Sequence, residues 1–99
     1  MGLLSWFDAR EAKACGTALA ELIIRELPAK DSVKEKKFAD KAEKTLLKVM
    51  QQVADFKHVH KPNTYQKAQL GNAFLWTLKD GGVNEAYASE LTEWLSLKL

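Results

Sequence analysis

The chain has 99 residues, of which 46% are apolar and 28% charged, with a formal net charge of +2. That composition fits one globular domain and excludes a disordered or low-complexity chain. Residues 1–27 sum to −1, residues 28–61 to +4 and residues 62–99 to −1, so the mild basic excess sits in the middle third. The single Cys15 excludes an intrachain disulfide and points to a reducing, cytoplasmic setting. Asp8, Arg10, Glu11 and Lys13 interrupt the N-terminal stretch before an export signal could form, and no run of about 18 apolar residues exists, so no membrane association is expected.

The first predicted helix covers residues 6–27, opened by Ser5 and Asp8 as a capping pair and stopped before Pro28. Ala9, Ala12, Gly16, Leu19, Ile23 and Leu27 form its apolar stripe. The small residues Ala12 and Gly16 invite close approach by another helix, which would offset the roughly 1 kcal/mol of helix propensity that Gly16 costs. Phe7, Ala14, Ala18 and Leu22 lie off the stripe, so this helix is expected at the centre of the packing or in a subunit interface.

A second helix is predicted over residues 32–60, capped by Ser32 with Glu35. Phe38, Ala42, Leu46, Val49, Val53 and Phe56 recur at helical spacing, and Ala39, Met50 and Ala54 widen the stripe. This face is expected to pack on the small-residue stripe of the first helix. Lys34, Lys37, Lys41, Lys44 and Lys48 form a ridge on the opposite side. The helix is longer than its neighbour, so either its Lys34 end or its His58 end should project.

A third helix over residues 64–80 is capped by Asn63 or Thr64 and ended by a left-handed glycine at Gly81 or Gly82. Its inner face is Leu70, Gly71, Phe74, Leu75 and Leu78. Tyr65, Gln69, Asn72 and Trp76 gather elsewhere on it, where the fourth helix is expected to cover the aromatics; left exposed, they would mark a partner site. The fourth helix, over residues 84–98 with Asn84 as cap, turns Tyr87, Ala88, Leu91, Trp94 and Leu95 inward. The fold class is therefore all-α: a single four-helix domain over residues 1–99, built from two antiparallel hairpins.

No motif assigns an activity. Ser, His and carboxylates are present, but no nucleophile sits beside a base and no Gly-rich phosphate loop, HExxH or CxxC occurs. Asp55, His58 and His60 cluster near one helix end, where cations already oppose the helix dipole, and they fall short of the ligand set a zinc site wants. No enzyme activity, cofactor or metal is expected.

A non-enzymatic protein–protein interaction module is the leading expectation, with Tyr65, Gln69 and Trp76 as the partner face. Self-association into a homodimer is a simple way for so small a domain to bury more surface. The alternative is a nucleic-acid-associated protein that lays the lysine ridge along phosphates. Against it stand Asp40 and Glu43, placed to pair with Lys44 and Lys48, and the lack of interleaved arginine or aromatics.

Overall fold

A computed structural model describes residues 7–26 and 35–99, with side chains from Asp40 onward in the second of these stretches. Four helices account for nearly all of them: α1 Arg10–Glu26, α2 Glu35–His60, α3 Thr64–Asp80 and α4 Glu85–Lys98. No strand occurs among the described residues. The chain is thus all-α, as the periodicity required.

Local chemistry sets the helix ends. Helix α1 starts later than residue 6: Phe7 lies in a turn, and Asp8 and Ala9 are not helical. The Asp8 carboxylate accepts the Arg10 backbone N–H at 3.2 Å. Ala9 supplies the first helical carbonyl, accepting from Lys13 N at 2.8 Å. A short acidic side chain bonding its own local backbone competes with helix at that position. Ser5, Leu27, Pro28, Ser32 and Lys34, which carried other boundary expectations, lie outside the described residues.

Asn63 caps α3 in a full capping box, accepting Gln66 N at 2.8 Å while the Gln66 side chain accepts Asn63 N at 2.9 Å. Asn84 caps α4 by accepting the N–H groups of Ala86 and Tyr87. Between α3 and α4 it is Gly82, at φ +87°, that takes the left-handed conformation. Gly81 has an ordinary φ of −80° and serves differently, since a Cβ there would collide with the side chain of Ile24 on α1. Lys61 follows α2 at φ +46°, a left-handed position held by a non-glycine residue.

Inter-helix contacts give the topology. Gln66 on α3 reaches the Asp8 carbonyl just before α1. Gly16 sits against Leu70 and Phe74, and Ile24 against Gly81, so α1 and α3 run parallel with a steady register. Glu26 at the end of α1 bonds Lys48 in the middle of α2, whereas Ala12 near its start lines a cleft with Phe56 and His60. Helix α2 is therefore antiparallel to α1. Lys57 donates to the Lys98 carbonyl at 3.1 Å, which brings the end of α4 back to the end of the molecule where α3 begins. The chain runs up, down, up and down.

The closest pair in this arrangement is α1 with α3; α2 lies against α1, and α4 against α3. Here the sequence expectation needs correction. The small-residue stripe of α1 receives α3, and α2 is not its close partner. The reason is Gly16: a Cβ at this position would overlap the Leu70 carbonyl oxygen and lie 3.1 Å from Phe74 N, so two backbones touch where no side chain intervenes. Gly71 has no comparable neighbour.

The core fills the space around that seam. Leu19, Ile23, Leu70, Phe74, Leu78 and Leu95 are fully buried, joined from α2 by Val49 and Val53. Each such side chain contributes about 1.5–3 kcal/mol by leaving water. Thr45 is buried on the same line of α2, with Ala42, Leu46 and Phe56 half-buried beside it. The inner faces of α3 and α4 match expectation, with Leu75, Tyr87 and Trp94 at their edges. Met50 and Ala54, expected to widen the buried face of α2, are exposed instead. Phe38 and Ala39 lie where side chains are not described. At about 1.5 Å per residue, α2 extends for about 20 Å on the N-terminal side of Lys48, with Thr45 still buried, so it is the N-terminal end of α2, ahead of Thr45, that projects past the end of α1.

Candidate interaction surfaces

The outer face of α3 carries the aromatic pair singled out in the sequence, and α4 does not cover it. Trp76 is 58% exposed. The Lys79 ammonium stands 5.0 Å from its ring centroid and also bonds Glu85 at 3.3 Å, so the lysine that lies over the indole is tied to the start of α4. The buried residues of α3, Leu70, Phe74 and Leu78, lie nearly opposite Trp76 around the helix. Tyr65 is half-buried, in edge-on contact with Phe7 at 5.2 Å between ring centroids. It is thus covered from the segment preceding α1. Gln69 is half-buried between the two aromatics and Asn72 is exposed. Tyr65 and Trp76 share a face but stand about 16 Å apart along the helix. They do not form one patch.

The lysine ridge is only partly described. Lys34 lies outside the described residues, and for Lys37 the helical backbone alone is described. Lys41 and Lys44 are exposed. Lys48 is held by both carboxylate oxygens of Glu26, at 2.9 and 3.1 Å. The acid that neutralises part of the ridge therefore comes from α1, where Asp40 and Glu43 were expected to do so. A contact between helices was invisible to spacing within one helix.

A cleft of about 430 Å³ opens where the start of α1, the end of α2 and the start of α3 meet. Its polar groups are largely engaged with one another. Arg10 donates to the Asp8 carboxylate through Nε and Nη2, at 3.1 and 2.9 Å, and this bonding holds the Asp8 pKa below its ordinary value. The Gln66 amide bonds the Asp8 carbonyl and the Asn63 backbone. His60 lies against the Phe56 ring at 4.8 Å between centroids. Nothing in this set pairs a nucleophile with a base. Among the described residues no three of His, Cys, Asp and Glu converge in a way that would hold a metal, and His58 is exposed. Cys15 is half-buried, and burial pushes its thiol up to about 11, away from the thiolate that reactivity needs.

Sequence reasoning missed one surface. On α2, Leu47 is 58% exposed and Met50 39% exposed, with exposed Ala54 one turn on. Their spacing of three and four was legible, but it merged with the buried stripe beside it; only the position of α1 separates the two. Val59 and Leu97 are also exposed, each three residues after a half-buried aromatic, Phe56 and Trp94 respectively.

Among the described residues no helix is long and apolar enough to cross a membrane. Comparison with protein-family models, with curated proteins and with solved structures gives no match to this chain.

Proposed function

We propose that this chain is a non-enzymatic helical interaction module that binds a protein partner through the outer face of α3, with Trp76 at the centre of the contact. The supporting observation is a large aromatic side chain more than half exposed on a regular, well-anchored helix. Tryptophan exposed in this way is the residue type in which interface energy concentrates, and Lys79, tied to Glu85, lies over its ring and gives the surface a polar edge. Gln69 and Asn72 supply adjacent hydrogen-bonding groups, and Tyr65, covered by Phe7, stands apart at the start of the helix. The single half-buried thiol fits a reducing, cytoplasmic setting.

The reading is tested by placing a photo-crosslinking residue at the exposed Asn72 in living cells. A discrete adduct that disappears on Trp76→Ala is expected. The variant should keep its stability to within about 1 kcal/mol, because more than half of Trp76 is exposed. Absence of an adduct, or an adduct indifferent to Trp76→Ala, would contradict the proposal.

The nucleic-acid reading draws on exposed Lys41 and Lys44 on the projecting part of α2. It is the weaker one, because Lys48 is already neutralised by Glu26. Duplex binding at low salt that weakens with Lys41→Ala and Lys44→Ala and falls steeply as salt rises would favour it over the α3 reading.

A further inference from the structure

The exposed apolar line on α2 has ends of opposite charge. Leu47, Met50 and Ala54 form its centre; Asp40 and Glu43 continue it toward the N-terminus and Lys57 toward the C-terminus. These six positions alternate at spacings of three and four, which is the seam of a two-stranded coiled coil. They lie on a different side of α2 from the buried line of Thr45, Val49 and Val53.

From this pattern we infer that a second copy of the chain docks antiparallel on this seam, forming a two-fold dimer through α2. A two-fold contact places each residue of one copy against a fixed counterpart of the other, and the contact recurs in reverse. With the axis between Leu47 and Met50, Leu47 meets Met50 of the second copy, Glu43 meets Ala54, and Asp40 meets Lys57. Every position of the seam then has a counterpart within it. The largest apolar side chains meet at the centre and opposite charges at both ends. A parallel pairing would set Asp40 on Asp40 and Lys57 on Lys57, so the charges select the orientation, as do the antiparallel helix dipoles. Lys57 already donates one hydrogen bond to the Lys98 carbonyl, and an ammonium has two donors left. Half-buried Leu46 borders the seam and adds to its apolar centre.

A seam of this length on one helix is smaller than the roughly 800 Å² per partner of a typical stable complex, so a weak, concentration-dependent dimer is expected. The inference adds a surface to the interaction-module reading and does not depend on Trp76.

Sedimentation of the whole chain across the micromolar range tests it. A concentration-dependent dimer is expected. Leu47→Asp should raise its dissociation constant at least about tenfold while helical content stays unchanged, since Leu47 is outside the core; Leu47→Gln serves the same purpose should the aspartate disturb α2. Asp40→Lys alone should weaken the dimer, and Asp40→Lys combined with Lys57→Asp in the same chain should restore it, because both ends are reversed together. Trp76→Ala should leave the dimer intact. A chain that stays monomeric up to about millimolar concentration, or a dimer indifferent to both Leu47 substitutions, would overturn the inference. So would a dimer lost on Trp76→Ala, which would move self-association to α3.

Discussion

The α1–α3 seam and the flank of α2 are both helix surfaces with apolar residues at helical spacing, yet one is closed and the other open. The seam is closed by a missing side chain: at Gly16 the backbone of α1 lies directly on that of α3, and Leu19, Ile23, Leu70 and Phe74 bury themselves around the contact. On α2 the apolar arc is wider than the groove that receives it. Thr45, Val49 and Val53 occupy the groove, and Leu47, Met50 and Ala54 are left outside. Apolar patterning fixes which residues leave water when a neighbour is present. The distance of approach decides which neighbour that is.

Emptying the seam has the largest effect. Phe74→Ala should cost about 3–5 kcal/mol in denaturant unfolding, because the ring is fully buried and its neighbours cannot collapse into the space. Leu47→Ala, of similar apolar character on the open flank, should stay within about 0.5 kcal/mol in the same measurement.

For Gly16→Ala the sign of the effect is diagnostic. In an exposed helix the change would stabilise by about 1 kcal/mol. Here the new methyl group meets the backbone of α3, and forcing the helices apart costs about 1–3 kcal/mol. Net destabilisation of up to about 2 kcal/mol is therefore expected in chemical denaturation, and a stabilised variant would show that the seam is not tight.

Asn63→Ala removes the cap of α3 and leaves the Gln66 backbone N–H without its acceptor, while the Gln66 side chain can still accept the backbone N–H of residue 63 and link α3 to the Asp8 carbonyl. A loss of about 1 kcal/mol should appear as a lowered melting temperature.

The smallest effect concerns pH. Burial raises the Cys15 thiol from 9.0 to about 11. A group whose folded pKa is raised contributes stability that is complete below its unfolded value and is lost as pH climbs through the folded one. A slight fall in stability between about pH 9 and about pH 11 is therefore expected. It should be absent from Cys15→Ser when both are unfolded in denaturant across that range.

Much of this was legible in the residues. Asn63 and Asn84 stand at the caps, the third and fourth helices fall where their periodicity begins and ends, and Leu70, Phe74, Leu78, Leu91 and Leu95 turn inward. What was not legible depends on contacts between elements. Nothing local distinguishes α2 from α3 as the partner of Gly16. Thr45 carries a hydroxyl and gives no apolar signal, yet it lies on the buried line. Likewise, Lys48 reads as part of a free ridge until Glu26 arrives from another helix. Tyr65 and Trp76 read as one cluster because spacing around a helix does not record that Phe7 covers one and nothing comparable covers the other.

The most direct test of the account is amide hydrogen exchange on the dilute chain, residue by residue. Amides of Leu19, Ile23, Leu70 and Phe74 should exchange only through global unfolding, while those of Asp40 to Lys44, ahead of buried Thr45 on α2, should exchange through local opening at lower free energy. Equal protection of the two regions in the dilute chain would contradict a domain built on the α1–α3 seam with α2 laid against it.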